Sequence, residues 1–283
     1  MKIVWITGAD GLIGNYLMQT APQFAASNFV RALTRNDFDL SEFSAVEQAF
    51  KRDSPSLVLH CAAVSNVAAA QKNPALARRV NVEVTRFLAE LSGQSQFVFF
   101  STDLVFDGRQ GNYRETDATN PLNIYGETKV VAEAAVLQNP RHLVVRTSLN
   151  GGVSKTGGRA FNEQLRQSLA AAGQGMKLFT DEFRCPIPAA ETARAVWELA
   201  EKKCAGIYHV AGAEKLSRLQ IANLLRPRWP EINTKIESGS ARDFAGPPRA
   251  LDTTLDISKV QSVLSKPLPA LSEWLAANRS EPF

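Results

Sequence analysis

Ile3-Val-Trp-Ile-Thr7-Gly8-Ala-Asp10-Gly11-Leu12-Ile13-Gly14 opens this chain and decides how the rest is read. An apolar run of strand character leads directly into glycines at three-residue intervals, and a helical pattern follows them. In that context each glycine has a purpose. Gly8 suits a tight turn, Gly11 lets the backbone approach a diphosphate, and Gly14 lets helix and strand pack closely. The helix start adds unpaired N–H groups and a partial positive charge for phosphates. Gly8, Asp10, Gly11, Leu12 and Ile13 are therefore expected to line a dinucleotide cradle.

Working outward, short apolar runs alternate with segments of helical period. Strands are expected at 3–7, 29–34, 56–61, 97–100 and 142–146, with helices from Gly11 and at 44–51, 74–91 and 125–137. The stretch 74–91 has apolar residues at 76, 80, 84, 87, 88 and 91, which is helix spacing. Such alternation implies βαβ units with right-handed crossovers. The expected class is α/β: a Rossmann-type doubly wound parallel sheet with a smaller C-terminal substrate-binding lobe. Residues 1–150 form the dinucleotide-binding domain in this reading. Residues 151–283 form most of the lobe, with segments returning to the sheet. Helices are expected at 160–171, 192–201, 217–225 (capped by Ser217) and 271–277, and a strand at 207–210. The stretch 227–269 reads mostly as loops.

Composition narrows the setting. The chain has 283 residues, 45% hydrophobic and 21% charged, with a net charge of +4 that no long basic run concentrates. That fits a soluble globular protein and argues against nucleic acid as partner. Cys61, Cys185 and Cys204 are far apart, without metal-ligand spacing, and read as reduced thiols. His60, His142 and His209 read as packing residues, so no metal site is expected. The N-terminus leaves no room for a signal peptide, and no apolar stretch reaches membrane-spanning length. A cytoplasmic location is expected.

The second strand ends in Leu33-Thr34-Arg35-Asn36, where a carboxylate would hold an adenosine ribose and favour NAD. Arg35 can instead bond a 2′-phosphate, with Thr34 adding a hydroxyl. NADP (NADPH) is the expected cofactor, while Asp37 leaves NAD as an alternative. Further on, Tyr125 and Lys129 stand one helical turn apart, after a strand ending in Ser101-Thr102. A phenol is a poor acid at neutral pH, and an ammonium one turn away is expected to lower its pKa. A hydroxyl, a phenol and an ammonium together can protonate a carbonyl oxygen as it receives hydride.

The segments Ser101-Thr-Asp-Leu-Val-Phe-Asp-Gly108, Tyr113-Arg-Glu-Thr-Asp117 and Pro121-Leu-Asn-Ile-Tyr125-Gly-Glu-Thr-Lys129, with Glu133 beyond, resemble the dTDP-4-dehydrorhamnose reductase family of extended short-chain dehydrogenase/reductases. Asp39-Leu40, Cys61-Ala62-Ala63, Arg146-Thr-Ser148 and the run Arg249 to Asp256 extend the resemblance over most of the chain. It implies an NADPH-dependent reductase, with Thr102, Tyr125 and Lys129 as catalytic group and Ser101 as helper. Lys129 would also hold the nicotinamide ribose. Asp39, Leu40, Cys61, Ala62, Ala63 and Ser101 would join the cofactor site. Asn81 would organise a water or backbone link behind Lys129.

On the substrate side the resemblance implies Ser65, Leu104, Leu149, Asn150, Arg184 and Arg249. Arg184 could meet a diphosphate bidentately or form a structural ion pair. The implied substrate is a nucleotide sugar carrying a 4-keto group, and the assembly a monomer or homodimer. Leu104, Leu149-Asn150, Val67-Ala68 and Gln71 depart from the family pattern on the sugar side. A related keto-sugar or an unrelated carbonyl compound thus stays open. A dehydratase would need an acidic residue after Asp103, where Leu104 stands, and an epimerase fits poorly with Arg35. A non-catalytic nucleotide-binding subunit, such as the regulatory subunit of methionine adenosyltransferase, resembles the same family and is the rival from another class.

Overall fold

The apolar runs become the strands of one sheet because residues buried on both faces lose water from both sides at once. The computed structural model describes residues 2–173, 175–245, 249–281 and 283. In chain order the first half contains β1 (Ile3–Thr7), α1 (Leu12–Phe24), β2 (Phe29–Leu33), α2 (Phe43–Asp53), β3 (Leu57–His60), α3 (Val67–Lys72), α4 (Pro74–Arg78), α5 (Val84–Leu91), β4 (Gln96–Thr102), α6 (Ile124–Val136) and β5 (Leu143–Thr147). Then come β6 (Asn150–Gly151), α7 (Phe161–Ala171), β7 (Met176–Phe179), β8 (Phe183–Arg184), β9 (Ile187–Pro188), α8 (Ala189–Glu201) and β10 (Gly206–Val210). The chain finishes with β11 (Leu216–Ser217), α9 (Arg218–Leu225), β12 (Ile236–Gly239), α10 (Ser258–Gln261) and α11 (Leu271–Ala277).

Six strands form a parallel sheet in the order β2-β1-β3-β4-β5-β10. From β1 the chain steps one way to β2, then the other way through β3, β4 and β5. The direction reverses between β1 and β3, and a doubly wound sheet opens its ligand crevice at that point, beyond the carboxyl ends of the strands. One face is covered by α1 and α8, through Leu17, Ala21, Val196 and Leu199. The other is covered by α2, α5 and α6, which bury Trp5, Phe97 and Phe99.

The second half divides its material. β10 continues the sheet beside β5, pairing Gly206–Val210 with Leu143–Thr147. Ile187, α8, Val260 and Leu268 pack on the sheet, and a further part builds a separate core from Leu169, Leu216, Ile221, Leu225, Trp229, Leu271 and Leu275. Within the stretch read as loops, Ile236–Gly239 forms β12 and pairs with β7. Four residues of mixed polarity give no periodic signal, so only their partner makes them a strand.

The helix expected over 74–91 is interrupted by a π turn at Arg79–Glu83. That turn directs Asn81 inward. Its Oδ1 accepts from the Val64 amide at 2.8 Å, and its Nδ2 donates to the Val64 carbonyl at 3.2 Å and to Thr128 Oγ1 at 3.0 Å. A side chain thus fastens the segment after β3 to α6, and π turns recur where such a junction matters.

Candidate active site

At the crevice, Gly8 has a φ of +65°, and a Cβ there would lie 2.7 Å from the Ala62 amide nitrogen. At Gly14 a Cβ would lie 2.4 Å from the Gly8 carbonyl oxygen. Only glycine allows both approaches. Helix α1 starts after Gly11 without any side-chain cap, so the first-turn amides at Leu12 and Ile13 are left for an anion. Asp10 is half-exposed and paired with Lys155 at 2.7 Å, which offsets the negative charge it would bring beside a diphosphate.

After β2, both carboxylates are engaged locally. Asp37 accepts from the Thr34 amide at 2.8 Å and hydroxyl at 2.9 Å. These bonds, the backbone one foremost, hold its carboxyl below the usual range despite some burial. Asp39 accepts from the Ser41 amide at 2.9 Å and hydroxyl at 2.6 Å. Arg35 is exposed and, among the described residues, forms no ion pair. The free charge at this end of the crevice is positive, so the residues present fit a 2′-phosphate. Leu40 packs into the core beside them.

Behind β3, His60 is buried between two hydroxyls, with Nδ1 2.7 Å from Thr7 Oγ1 and Nε2 3.0 Å from Thr85 Oγ1. Thr85 donates its own proton to the Asn81 carbonyl at 2.8 Å. It must therefore accept from Nε2–H, and Thr7 must donate to Nδ1. Burial and then the Lys129 charge push the imidazole down to about 3, so it stays neutral. Cys61, Ala62 and Ala63 follow at the strand's end, half-buried, and Ser65 beyond them is exposed.

Thr102 ends β4, and Tyr125 and Lys129 lie on the inward face of α6; all three are buried. Asn123 caps that helix by accepting from the Gly126 amide at 2.9 Å. Gly126 is required because a Cβ would stand 2.3 Å from the Leu104 carbonyl oxygen. Leu104 itself packs beside Tyr125 with Ala70 and Ala77. The Lys129 ammonium lies 4.2 Å from the Phe99 ring centre and 6.0 Å from that of Tyr125.

The expectation that Lys129 lowers the pKa of Tyr125 is not met. Burial first, then the Asp103 charge, push the phenol up, and the hydroxyl of Thr102 is what pulls it down. Lys129 is itself pushed down to about 7 by burial, against the pull of the Glu133 carboxylate. At Lys129 desolvation outweighs the neighbouring negative charge, whereas at Tyr125 burial and the Asp103 charge act in the same direction. Tyr125 is consequently a proton donor at neutral pH.

Asp103 joins the ends of three segments. It accepts from Thr102 Oγ1 at 3.2 Å, Ser148 Oγ at 2.8 Å and Thr253 Oγ1 at 3.0 Å. The motifs at 101–103, 146–148 and 249–256 meet here. Ser101 turns the other way: its hydroxyl donates to buried Glu133, which Arg146 grips through Nε at 3.0 Å and Nη2 at 2.7 Å. The helper role expected of Ser101 at the carbonyl does not match that orientation. Asn150 is likewise engaged, donating to Thr147 Oγ1 at 2.9 Å and accepting from Thr192 at 2.6 Å. Leu149 packs on the lobe core.

A second charged centre lies beside Asp103. Buried Glu182 receives Arg184 at 3.2 Å, Arg218 at 2.8 Å and Arg249 at 2.6 Å. The three guanidinium charges hold its carboxyl at about 2 in spite of burial. Arg184 is 4% exposed and also lies 3.7 Å from Asp103, so it has no free face for a bidentate diphosphate. Arg249 is open to solvent, between the rings of Phe179 and Phe244 at 5.3 Å from each. Sequence reasoning missed Arg218 and Glu182: Arg218 stands at the start of the expected helix 217–225, and nothing near it in sequence points to a carboxylate partner 36 residues away.

A family profile described as "RmlD substrate binding domain" matches residues 1–279. The chain belongs to the RmlD family. This is the dTDP-4-dehydrorhamnose reductase branch of the extended short-chain dehydrogenase/reductases, NAD(P)-dependent oxidoreductases acting on a CH–OH/C=O group. A "Probable low-salt glycan biosynthesis reductase" of Haloferax volcanii is 29% identical over 96% of each chain. "Methionine adenosyltransferase 2 subunit beta" of Xenopus laevis is 28% identical over 91% of this RmlD-family chain and 81% of that protein. In structure, the dTDP-4-dehydrorhamnose reductase of Bacillus anthracis in complex with NADP superposes with a TM-score of 0.87, at 24% identity, over 98% of both chains. Among the described residues of this RmlD-family member no helix is long and apolar enough to cross a membrane, and no cluster of three metal-ligating side chains is present.

Proposed function

We propose that this chain is an NADPH-dependent reductase of a nucleotide-activated deoxysugar, acting on its 4-keto group. The observation that carries the reading is the buried group Thr102, Tyr125 and Lys129, gathered beside a phosphate cradle at the switch point of the sheet. The cofactor, when bound, supplies the hydride that adds to the carbonyl carbon. Tyr125 then gives its phenolic proton to the carbonyl oxygen as the new C–H bond forms, and burial keeps it protonated until that moment. Thr102 Oγ1–H would turn from its long bond to Asp103 onto the same oxygen while charge develops on it. Lys129 holds the nicotinamide ribose and offsets the charge left on Tyr125. Gly8 to Ile13 would take the diphosphate and Arg35 the 2′-phosphate, the Thr34 amide and hydroxyl being committed to Asp37.

The arginines around Glu182 support an anionic substrate. Three guanidinium groups meet two carboxylates, Glu182 and Asp103, which leaves one positive charge over. Arg218 and Arg249 are its accessible members, and a substrate diphosphate is what they suit. Arg184 acts as their buried anchor.

The test is NADPH and NADH binding together with oxidation of each on nucleotide 4-keto-sugars. NADPH is expected to bind more tightly, and Tyr125→Phe to lower turnover by about 10² to 10⁴-fold with NADPH binding retained. Tight NADPH binding with no turnover on any such sugar would favour a regulatory-subunit role, for which the similarity to the Xenopus laevis beta subunit speaks. Failure to bind either nucleotide would overturn both.

A further inference from the structure

Tyr125, Lys129 and Glu133 occupy one inward stripe of α6 at successive turns, and all three are buried. The first two belong to the proposed chemistry, whereas Glu133 does not reach it. Its carboxylate instead joins three elements. From β4 it receives the hydroxyl of Ser101, the residue immediately before Thr102. From β5 it receives Arg146, which lies opposite Ser101 in the strand register. We propose that Glu133 is the positioning residue of the catalytic group: one carboxylate fixes the strand end bearing Thr102 against the helix face bearing Tyr125 and Lys129, and keeps the Lys129 ammonium charged. The inference rests on the reductase reading above.

Every group facing Lys129 bears on the second half of that statement. From β4 comes the neutral ring of Phe99. From β3 come His60, neutral between its two hydroxyls, and the thiol of Cys61, which burial pushes up so that it stays protonated. On α6 itself lie Tyr125, also protonated, and Glu133. The Asp103 charge reaches Tyr125 from the far side, beyond Thr102. Arg146 is turned onto Glu133, with its ring-side face over Phe106 at 5.1 Å. Glu133 is therefore the anion that supports a positive Lys129 in a compartment that otherwise disfavours charge.

A purely structural ion pair would do the first task without the second, and two variants separate them. Glu133→Gln alone leaves Arg146 buried and unpaired, so it is made together with Arg146→Met, which removes both charges. Ser101→Ala removes one bond and no charge. Each is assayed for kcat/KM against pH and, without substrate, for NADPH affinity against pH by fluorescence. For the folded double variant, the alkaline limb is expected to move about one pH unit lower in both measurements, a tenfold loss above it. For Ser101→Ala, kcat is expected to fall about tenfold with the limb unmoved, because only Thr102 has lost its support. A folded double variant with an unmoved limb would overturn the charge role, and Ser101→Ala with full kcat the positioning role. If that double variant does not fold, Glu133→Gln/Arg146→Gln, which removes the same two charges and keeps hydrogen-bonding groups at both positions, is read instead, and an unmoved limb there overturns the charge role. Absence of turnover in the unmodified protein would sink the reductase reading alone, since the NADPH limb still reports on Glu133.

Discussion

Two buried glutamates anchor the two halves of this molecule, and they are satisfied differently. Glu133, in the sheet domain, meets one arginine in a closed pair whose side chains are 5% and 3% exposed. Glu182, in the lobe, is fully buried yet meets three arginines, two of them reaching solvent at 28% and 35%. The first arrangement is balanced and has nothing left for a ligand. The second is unbalanced towards positive charge and opens outward. A buried carboxylate can thus serve as a clasp or as the root of an anion site, and the number of partners tells the two apart.

The largest expected effect comes from removing either root. Glu182→Gln leaves three guanidinium charges with Asp103 as their one carboxylate and is expected to cost about 3–5 kcal/mol, as is Glu133→Gln, which leaves Arg146 buried and unpaired. Chemical denaturation would measure both, and a loss below about 1 kcal/mol at either position would break the comparison. Next come the arginines themselves. Arg218→Ala and Arg249→Ala are expected to raise KM for a nucleotide sugar about 10- to 100-fold, the value of a charge-assisted bond, with little change in stability. Arg146→Ala should reverse the pattern, lowering the melting temperature while KM for the sugar moves far less.

The last comparison is the response to acid. The folded-state pKa of Glu182, about 2, lies below the ordinary 4.5. Its contribution to stability is therefore complete above about pH 4.5 and is lost as pH falls towards about 2. Denaturation midpoints between those values should slope with pH in the unmodified protein and flatten in Glu182→Gln. Equal slopes in the two proteins would show that other carboxylates govern acid unfolding.

The same division marks what the sequence could disclose. The sheet domain was legible because its signals are periodic or local. Ile3–Ile6 is an unbroken apolar run, the glycine spacing is fixed, and Tyr125 and Lys129 are one turn apart. The lobe depends on partners distant in the chain. β12 exists through β7, and Glu182 finds Arg249 across 67 residues. Nothing near either residue announces the other. The orientation of Ser101 was hidden for a related reason: adjacent residues on a strand face opposite ways, and only the position of Glu133 decides which of Ser101 and Thr102 turns to the crevice. The pKa of Tyr125 was misjudged because spacing reveals a neighbouring charge but not how dry the site is.

The π turn at Arg79–Glu83 also separates two registers. It holds one residue more than a regular turn would, and each residue of an α-helix advances the direction by about 100°. The α4 end can therefore meet α6 while the α5 end meets α2 and α6, each in its own phase. Deleting a single residue within 79–83 would leave a more regular helix, with better backbone bonds. It would also rotate one end against the other and carry Asn81 away from Val64 and Thr128. Local regularity and correct assembly oppose each other at that point, and the molecule holds to assembly.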